Sequence, residues 1–105
     1  MIKVLHSIDI KAKQVDDKLY NWNNDKNELL KKSERNISFE MVISALNSRK
    51  LLDVIASPTH QDQLCLVVEI EHYCYVVPFV EEGDETLFLK TIYPSRKHTK
   101  YYLKG

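Results

Sequence analysis

The fold of this 105-residue chain is decided by residues 64–80, which read LCLVVEIEHYCYVVPFV. Two runs rich in β-branched and aromatic residues, Leu64–Ile70 and Tyr73–Val80, are separated only by Glu71 and His72. Runs of this composition are typical of β-strands, and a two-residue connection is typical of a tight antiparallel hairpin. We therefore predict a hairpin in which Ile70 pairs with Tyr73 across the turn.

The predicted register sorts the hairpin side chains into two faces, because successive side chains of a strand point to opposite sides. One face is wholly apolar, and we expect helices to cover it: Leu64, Leu66, Val68, Ile70, Tyr73, Tyr75, Val77 and Phe79. The other face has smaller side chains and is predicted to stay open: Cys65, Val67, Glu69, Cys74, Val76 and Pro78.

A last strand is predicted over Thr86–Tyr93 (TLFLKTIY). Because an unpaired ammonium group is costly to bury, Lys90 is expected on the open face beside Glu69, together with Phe88 and Ile92. Two interpretations follow. The acid and the base belong to a phosphate-binding surface at the start of a basic helix, or they form a surface ion pair without further meaning.

Upstream of the hairpin the pattern changes to helices. Leu19–Asn23 (LYNWN) alternates as a short strand does, and Asn24 or Asp25 is predicted to cap a helix that runs to about Ser33. After Ser38, the segment FEMVISALN is predicted to form a second helix whose apolar face belongs to the core: Phe39, Val42, Ile43 and Leu46.

The remaining elements complete an α+β fold. Leu51–Ala56 (LLDVIA) is predicted as a strand with a polar interruption, and Ser95 is predicted to cap a closing helix, RKHTKYYLK, after Pro94. We expect two N-terminal helices packed on an antiparallel meander sheet of about four strands, followed by a short C-terminal basic helix. Residues 1–18 are predicted to be an N-terminal arm or edge strand, and residues 19–105 a single domain.

Charge is distributed unevenly along a chain whose formal net charge is zero. Residues 1–89 contain ten basic and fifteen acidic residues, net −5, whereas the last sixteen contain five basic residues and no acid. The five are Lys90, Arg96, Lys97, Lys100 and Lys104, and His98 lies in the same segment. A local positive field of this kind can hold a polyanion. The alternative is a solvated, charged C-terminal helix.

Composition makes several classes of protein improbable. Apolar residues make up 44% and charged residues 29% of the chain, as in a soluble globular domain, and no apolar stretch approaches the roughly 20 residues of a membrane helix. The N-terminus lacks the pattern of a signal peptide, so we expect a cytoplasmic protein without membrane contact. Cys65 and Cys74 form no CxxC pair and are expected in the core. The four histidines are scattered, so neither a metal nor a cofactor is expected.

Two segments resemble one known family. Tyr20–Leu46 (YNWNNDKNELLKKSERNISFEMVISAL) resembles the opening of BrnT-type toxins, which begin with an aromatic–x–Trp–Asp/Asn strand and enter their second helix through a (G/N)-(V/I)-S-F-E turn, here Asn36–Glu40. Ile92–Thr99 (IYPSRKHT) resembles the closing I-(S/P)-(A/S)-R-(K/R)-x-T pattern, with one extra residue before the Ser-Arg pair. The resemblance covers residues 20–104. The first 18 residues depart from the family pattern, and so does His98, where a small residue is common.

The resemblance implies a RelE/ParE-like fold and the function of a toxin in a type II toxin–antitoxin system. Such a toxin arrests growth by cleaving RNA without a metal and is neutralised by a cognate antitoxin, here expected to be of the ribbon–helix–helix type. RNA and the antitoxin are thus the expected partners, and the assembly is expected to be a homodimer or a toxin–antitoxin heterotetramer.

The implied reaction assigns roles to the basic end of the chain. The RNA 2′-hydroxyl attacks the adjacent phosphate, which requires a base, stabilisation of the phosphorane and protonation of the leaving oxygen. The expected catalytic residues are Arg96 as phosphate clamp, Lys90 as added positive charge, Glu69 or His98 as base, and Tyr101 as a stacking or proton-donating group. The expected RNA-binding residues are Lys97, Lys100, Tyr102 and Lys104.

Two other functions remain open on the same fold. The basic face of a non-catalytic binding module would hold an acidic antitoxin segment or grip nucleic acid without cutting it. A gyrase-directed toxin would act by protein contact and would need no proton-transfer residues. Trp22 is expected to be a core or antitoxin-contacting residue in either case.

Overall fold

The computed structural model describes residues 18–103 of the chain, where a short strand and two helices are followed by five strands and a third helix. The elements are β1 (Leu19–Trp22), α1 (Asn24–Lys31), α2 (Phe39–Asn47), β2 (Leu51–Ala56), β3 (Leu64–Ile70), β4 (Tyr73–Glu82), β5 (Thr86–Leu89), β6 (Tyr93–Pro94) and α3 (Arg96–Leu103). The expected arm or edge strand lies almost wholly outside the described residues, as does Lys104. No helix within residues 18–103 is long and apolar enough to cross a membrane.

The sheet is mixed, with strand order β1-β5-β4-β3-β2 and with β6 paired to β4 off this path. Strands β2 to β5 form the predicted antiparallel meander. Strand β1 adds a parallel edge beside β5, so the sheet is larger than the four strands expected. The predicted last strand is too long, because β5 ends at Leu89 and pairing resumes only at Tyr93, in β6.

The hairpin register is confirmed over its whole length, from Leu64 opposite Phe79 to Ile70 opposite Tyr73. The two turn residues both lie in the left-handed region, with φ of 52° at Glu71 and 65° at His72. Positive φ at both central positions is the geometry of a type I′ turn, which matches the twist of the strands it joins. The hairpin therefore forms even without the glycine or asparagine that usually occupies such a turn.

The main core lies between helix α2 and the apolar face of the sheet. Its fully buried side chains come from α2, from β2, from the hairpin and from β5: Phe39, Val42, Leu46, Leu51, Val54, Leu66, Val68, Val77, Leu87 and Leu89. Trp22 packs against this core, with its ring stacked on that of Phe39 at 5.5 Å between centroids. The predicted helical face of α2 is confirmed, except that Ile43 is only half-buried and Ala45 is buried instead.

Side chains cap all three helices at their N-termini. Ser38 and Ser95 act as predicted: their Oγ atoms accept hydrogen bonds from the backbone N–H groups of Met41 (3.3 Å) and His98 (3.2 Å). The cap of α1 is Asn23, not Asn24 or Asp25, because the chain is still extended at Asn23 (φ −85°, ψ 123°) when its side chain accepts from the first turn.

The second face of the hairpin is not open, contrary to the expectation. Helix α3 packs against it, and a second buried cluster forms there from Cys65, Val67, Cys74 and Val76. Tyr102 and Leu103 of α3 cover this cluster together with side chains of β2. Ile92 also departs from the prediction. It lies in the main core, because the chain leaves the sheet after Leu89 and the strand alternation no longer applies to it.

Candidate active site on helix α3

A groove lined by α3 and by Asp53 of β2 brings together several of the residues expected to act on RNA. Its lining, which we call the α3 groove, consists of Asp53, Lys97, His98, Lys100, Tyr101 and Tyr102. Five of these six positions were singled out from the sequence. Asp53 was not, and Glu69 and Lys90 lie elsewhere.

Hydrogen bonds to one residue of β4 fix the first turn of α3. The backbone N–H of Ser95 donates to the carbonyl oxygen of Cys74 (2.9 Å), and the N–H of Cys74 donates to Oγ1 of Thr99 (2.8 Å). The Thr99 hydroxyl in turn donates to the Ser95 carbonyl oxygen at 2.8 Å. Both backbone groups of Cys74 are thereby satisfied, and the helix start is held in one position against the sheet.

His98 is half-buried and held on two sides. Its Nδ1 lies 2.6 Å from Oγ of Ser95, and its ring stacks on that of Tyr102, with an interplanar angle of 10° and 6.4 Å between centroids. Burial lowers the pKa of His98, the positive charge of Lys97 adds to this effect, and Asp53 opposes it. The imidazole is therefore uncharged at neutral pH, the state in which it can accept a proton.

Asp53 of β2 lines the same groove as this histidine. Its Oδ1 accepts a hydrogen bond from the N–H of Val54 (2.7 Å), and its Oδ2 accepts from the Tyr102 hydroxyl (2.8 Å). Burial, followed by the hydrogen bond to Asp53, raises the pKa of Tyr102, so the phenol stays protonated. The register of β2 against β3 shifts between Leu51 and Asp53. A bulge of this kind re-aims side chains.

The sequence contained one signal for Asp53. A single carboxylate in the apolar run LLDVIA needs solvent or a polar partner, because an unpaired buried charge is costly. The local sequence pattern could not identify that partner, since Tyr102 lies 49 residues away in the chain.

The exposed side chains of α3 make the groove basic. Lys97 and Lys100 line it, and Arg96 is exposed on the first turn of the helix. The ring of Tyr101 is 73% exposed and meets that of Tyr102 edge-on, with 4.8 Å between centroids. An exposed, oriented aromatic ring beside cationic side chains is the usual platform for a nucleic-acid base.

Glu69 lies outside this groove, in a pocket between α2 and the β3–β4 turn. Its side chain is 17% exposed, and its Oε2 lies 3.7 Å from Nζ of Lys50 and 3.8 Å from Nδ1 of His72. The charged neighbours of Glu69 are therefore Lys50 and His72, which do not belong to the basic helix α3.

Lys90 is also separate, and the predicted Glu69–Lys90 pair is wrong. The backbone N–H of Lys90 donates to the carbonyl oxygen of Pro78 (2.8 Å), whereas Glu69 stands opposite Cys74. Cys74 and Pro78 are four residues apart on β4, which is about 13 Å along an extended strand. Lys90 left the strand register because β5 ends one residue before it.

The two cysteines are buried core residues, as expected. Burial raises the pKa of both thiols, which disfavours the reactive thiolate. Within residues 18–103, no three His, Cys, Asp or Glu side chains are grouped as metal ligands would be.

Comparison with known proteins finds a similarity of fold. No protein-family model and no curated protein sequence matches the chain. A search of solved structures finds a crystal structure of the Brucella abortus ribonuclease toxin BrnT, with a TM-score of 0.52 and 20% sequence identity. The match covers 74% of this chain and 97% of BrnT. The resemblance noted in the sequence is thus confirmed at the level of structure: the chain has the fold of the toxin BrnT.

Proposed function

We propose that this protein is the toxin of a type II toxin–antitoxin pair and that it is an endoribonuclease whose active site is the α3 groove. The observation that carries the proposal is the placement of a half-buried, uncharged His98 in one groove with cationic side chains and Asp53. The shared fold with a ribonuclease toxin supports the same function.

The proposed reaction is cleavage by the RNA itself. The 2′-oxygen forms a bond to the adjacent phosphorus, and the bond from phosphorus to the 5′-oxygen breaks. The 2′-hydroxyl proton passes to a base, and the 5′-oxygen receives a proton. The products are a 2′,3′-cyclic phosphate and a free 5′-hydroxyl. A positioned base or acid contributes about 10²–10⁴-fold to such a reaction.

His98 is the proposed base. When its Nδ1–H donates to the Ser95 hydroxyl, Nε2 carries the free lone pair that accepts the 2′-hydroxyl proton. The Tyr102 ring stacks on the imidazole and is itself held by Asp53, so these two residues position the base. Glu69 has no part in this proposal, because its carboxylate is engaged with Lys50 and His72.

Cationic side chains supply the charge that the phosphorane requires. Arg96 offers a planar fork to two phosphate oxygens, and Lys97 and Lys100 line the groove beside it. Cationic donors at such positions stabilise charge that develops in the transition state. The Tyr101 ring stacks on a base of the RNA.

A cognate antitoxin is the proposed protein partner, and we expect it to cover this basic surface with acidic residues. A basic protein would be repelled by the same surface, so the charge selects for RNA and for an acidic antitoxin. A ribbon–helix–helix reading frame beside the gene would support this part of the proposal, and co-purification would give the stoichiometry of the complex.

Induced expression in a bacterial host tests the proposal. Growth and total RNA are followed for wild type, for His98→Gln and for His72→Gln, a matched control whose side chain is 95% exposed outside the groove. We expect growth arrest with RNA decay for wild type and His72→Gln, and normal growth for His98→Gln.

The other outcomes separate the alternative functions. Arrest with intact RNA would favour a gyrase-directed toxin. Normal growth with folded wild-type protein would favour a binding module without catalytic activity. Decay that persists in a folded His98→Gln variant would remove His98 from the active site.

A further inference from the structure

A second polar cleft lies where the loop between β2 and β3 meets the segment that follows β5. We call it the loop cleft. Its lining includes Ser57, Thr59 and His60 from the β2–β3 loop, and Lys90, Thr91 and Tyr93 from the segment after β5. Its volume of about 260 Å³ approaches the roughly 300 Å³ at which small-ligand pockets begin.

The chemistry of the loop cleft favours an anion. Lys90 brings an ammonium group, and no Asp or Glu of residues 18–103 lines the cleft. Burial raises the pKa of the Tyr93 phenol, and the nearby Cys65 thiol adds to this effect, so Tyr93 remains a neutral hydrogen-bond donor. Charge-assisted hydrogen bonds from such groups suit a phosphate.

The loop that carries His60 is organised by its own hydrogen bonds. Oγ of Ser57 accepts from the backbone N–H groups of Thr59 (3.3 Å) and His60 (3.1 Å), and the hydroxyl of Thr59 lies 2.9 Å from Nδ1 of His60. The backbone N–H of Ser57 donates to the carbonyl oxygen of Gln63 at 2.8 Å. The contact of Nδ1 with Thr59 orients the imidazole, so Nε2 is the ring nitrogen that a ligand would meet.

The two clefts are neighbours along the chain. Tyr93 lines the loop cleft and Lys97 lines the α3 groove, and Arg96 lies between them at the start of α3. Tyr93 pairs with Val76 of the sheet face that α3 covers, so both clefts open beside the same face. One extended strand could contact both, with Arg96 at the crossing.

We propose that the loop cleft binds a second phosphate of the RNA strand that is cleaved in the α3 groove. This inference rests on the proposed function and deepens it, because it makes the substrate a single strand longer than two nucleotides. Lys90 is then a binding residue for a neighbouring phosphate, not part of the cleavage centre.

Binding of RNA that cannot be cleaved tests this assignment. The probes are a 2′-O-methyl octanucleotide and a 2′-O-methyl dinucleotide, and the Kd of each is measured by fluorescence anisotropy over a range of salt concentrations. The variants are Lys90→Gln and, as a control for the lost charge, Lys32→Gln at an exposed lysine after α1.

We expect Lys90→Gln to weaken octanucleotide binding several-fold and to weaken dinucleotide binding much less. The slope of log K against log salt for the octanucleotide should fall by about 0.7, the value for one phosphate contact on a single strand. Lys90→Arg should restore binding, since the charge returns. Lys90 is exposed, so the thermal midpoint of the variants should match that of wild type.

Three results would overturn the inference: equal Kd values for Lys90→Gln and Lys32→Gln, equal losses for the two probes, or no binding of the octanucleotide by wild type. Cleavage of the unmodified octanucleotide, measured in parallel, separates the two proposals. If the octanucleotide is cleaved and its cleavage does not depend on Lys90, only the proposed phosphate site in the loop cleft is contradicted. Lys90-dependent binding without cleavage contradicts the endoribonuclease and leaves the phosphate site standing.

Discussion

The Tyr102 hydroxyl donates a 2.8 Å hydrogen bond to Oδ2 of Asp53, and this contact joins α3 to β2 across 49 residues of sequence. The same tyrosine ring stacks on His98 and covers the second buried cluster. One side chain therefore connects the proposed base, the carboxylate that lines the α3 groove and the packing of helix α3.

Replacement of Tyr102 by phenylalanine isolates the hydrogen bond from the packing. The ring and its contacts remain, but the carboxylate loses a donor. Because a hydrogen bond of this kind contributes about 1 kcal/mol, we expect the free energy of unfolding in urea to fall by that amount. Tyr101→Phe, at a ring that is 73% exposed, is the control. Equal stability of Tyr102→Phe and wild type would show that the bond adds nothing.

The lowered pKa of His98 predicts a dependence of stability on pH. Between this pKa and the ordinary value of 6.5, the unfolded chain binds a proton and the folded chain does not. The free energy of unfolding therefore falls as the pH drops through this window, and the contribution is fully present above it. Urea midpoints between about pH 5 and pH 8 should show this fall in wild type and a smaller one in His98→Gln. An equal dependence of stability on pH in wild type and His98→Gln would contradict a lowered pKa of His98.

Arg96 should matter to cleavage and not to folding, because its side chain is exposed on the first turn of α3. We expect Arg96→Ala to lower the cleavage rate by about 10²-fold, as the loss of one preorganised donor does in other enzymes. Arg96→Lys keeps the positive charge but not the planar fork of the guanidinium group, so its cleavage rate should lie between those of wild type and Arg96→Ala. The measurement is the rate of appearance of cyclic phosphate ends. A folded Arg96→Ala variant with wild-type activity would remove Arg96 from the site.

Asn27 is a buried polar link between the first two helices. Its Oδ1 accepts from the N–H of Phe39 and its Nδ2 donates to Oε1 of Glu40, both at 2.8 Å. Asn27→Ala leaves the Phe39 N–H unpaired at the start of α2, which should cost about 1–3 kcal/mol of unfolding free energy. Asn24→Ala, at an exposed position of the same helix, should change it much less. The free energy of unfolding of both variants is measured in urea and compared with that of wild type.

The hairpin shows where local pattern suffices. Its register follows from alternation and from a two-residue turn, and a slip by one residue would move every apolar side chain to the other face. The N-caps at Ser38 and Ser95 were predictable for a similar reason, since a cap acts on backbone groups within the next turn.

The errors about the site concern contacts between distant segments. Whether the second sheet face is open depended on α3, which contributes only Tyr102 and Leu103 to that cluster. The supposed pairing of Glu69 with Lys90 depended on where β5 ends. Asp53 escaped notice because its partner lies at the far end of the chain.

The amino-acid sequence by itself determined the order of elements, the register of the central hairpin, the core face of α2 and the basic character of the C-terminal helix. These properties depend on side-chain periodicity, capping and net charge, which act over a few residues. Only the tertiary structure decided that α3 covers the sheet, that Asp53 joins His98 and Tyr102, and that Lys90 and Glu69 stand apart. Those relationships depend on the path of the whole backbone, because burial and electrostatic interactions act through space between residues that are remote in the chain.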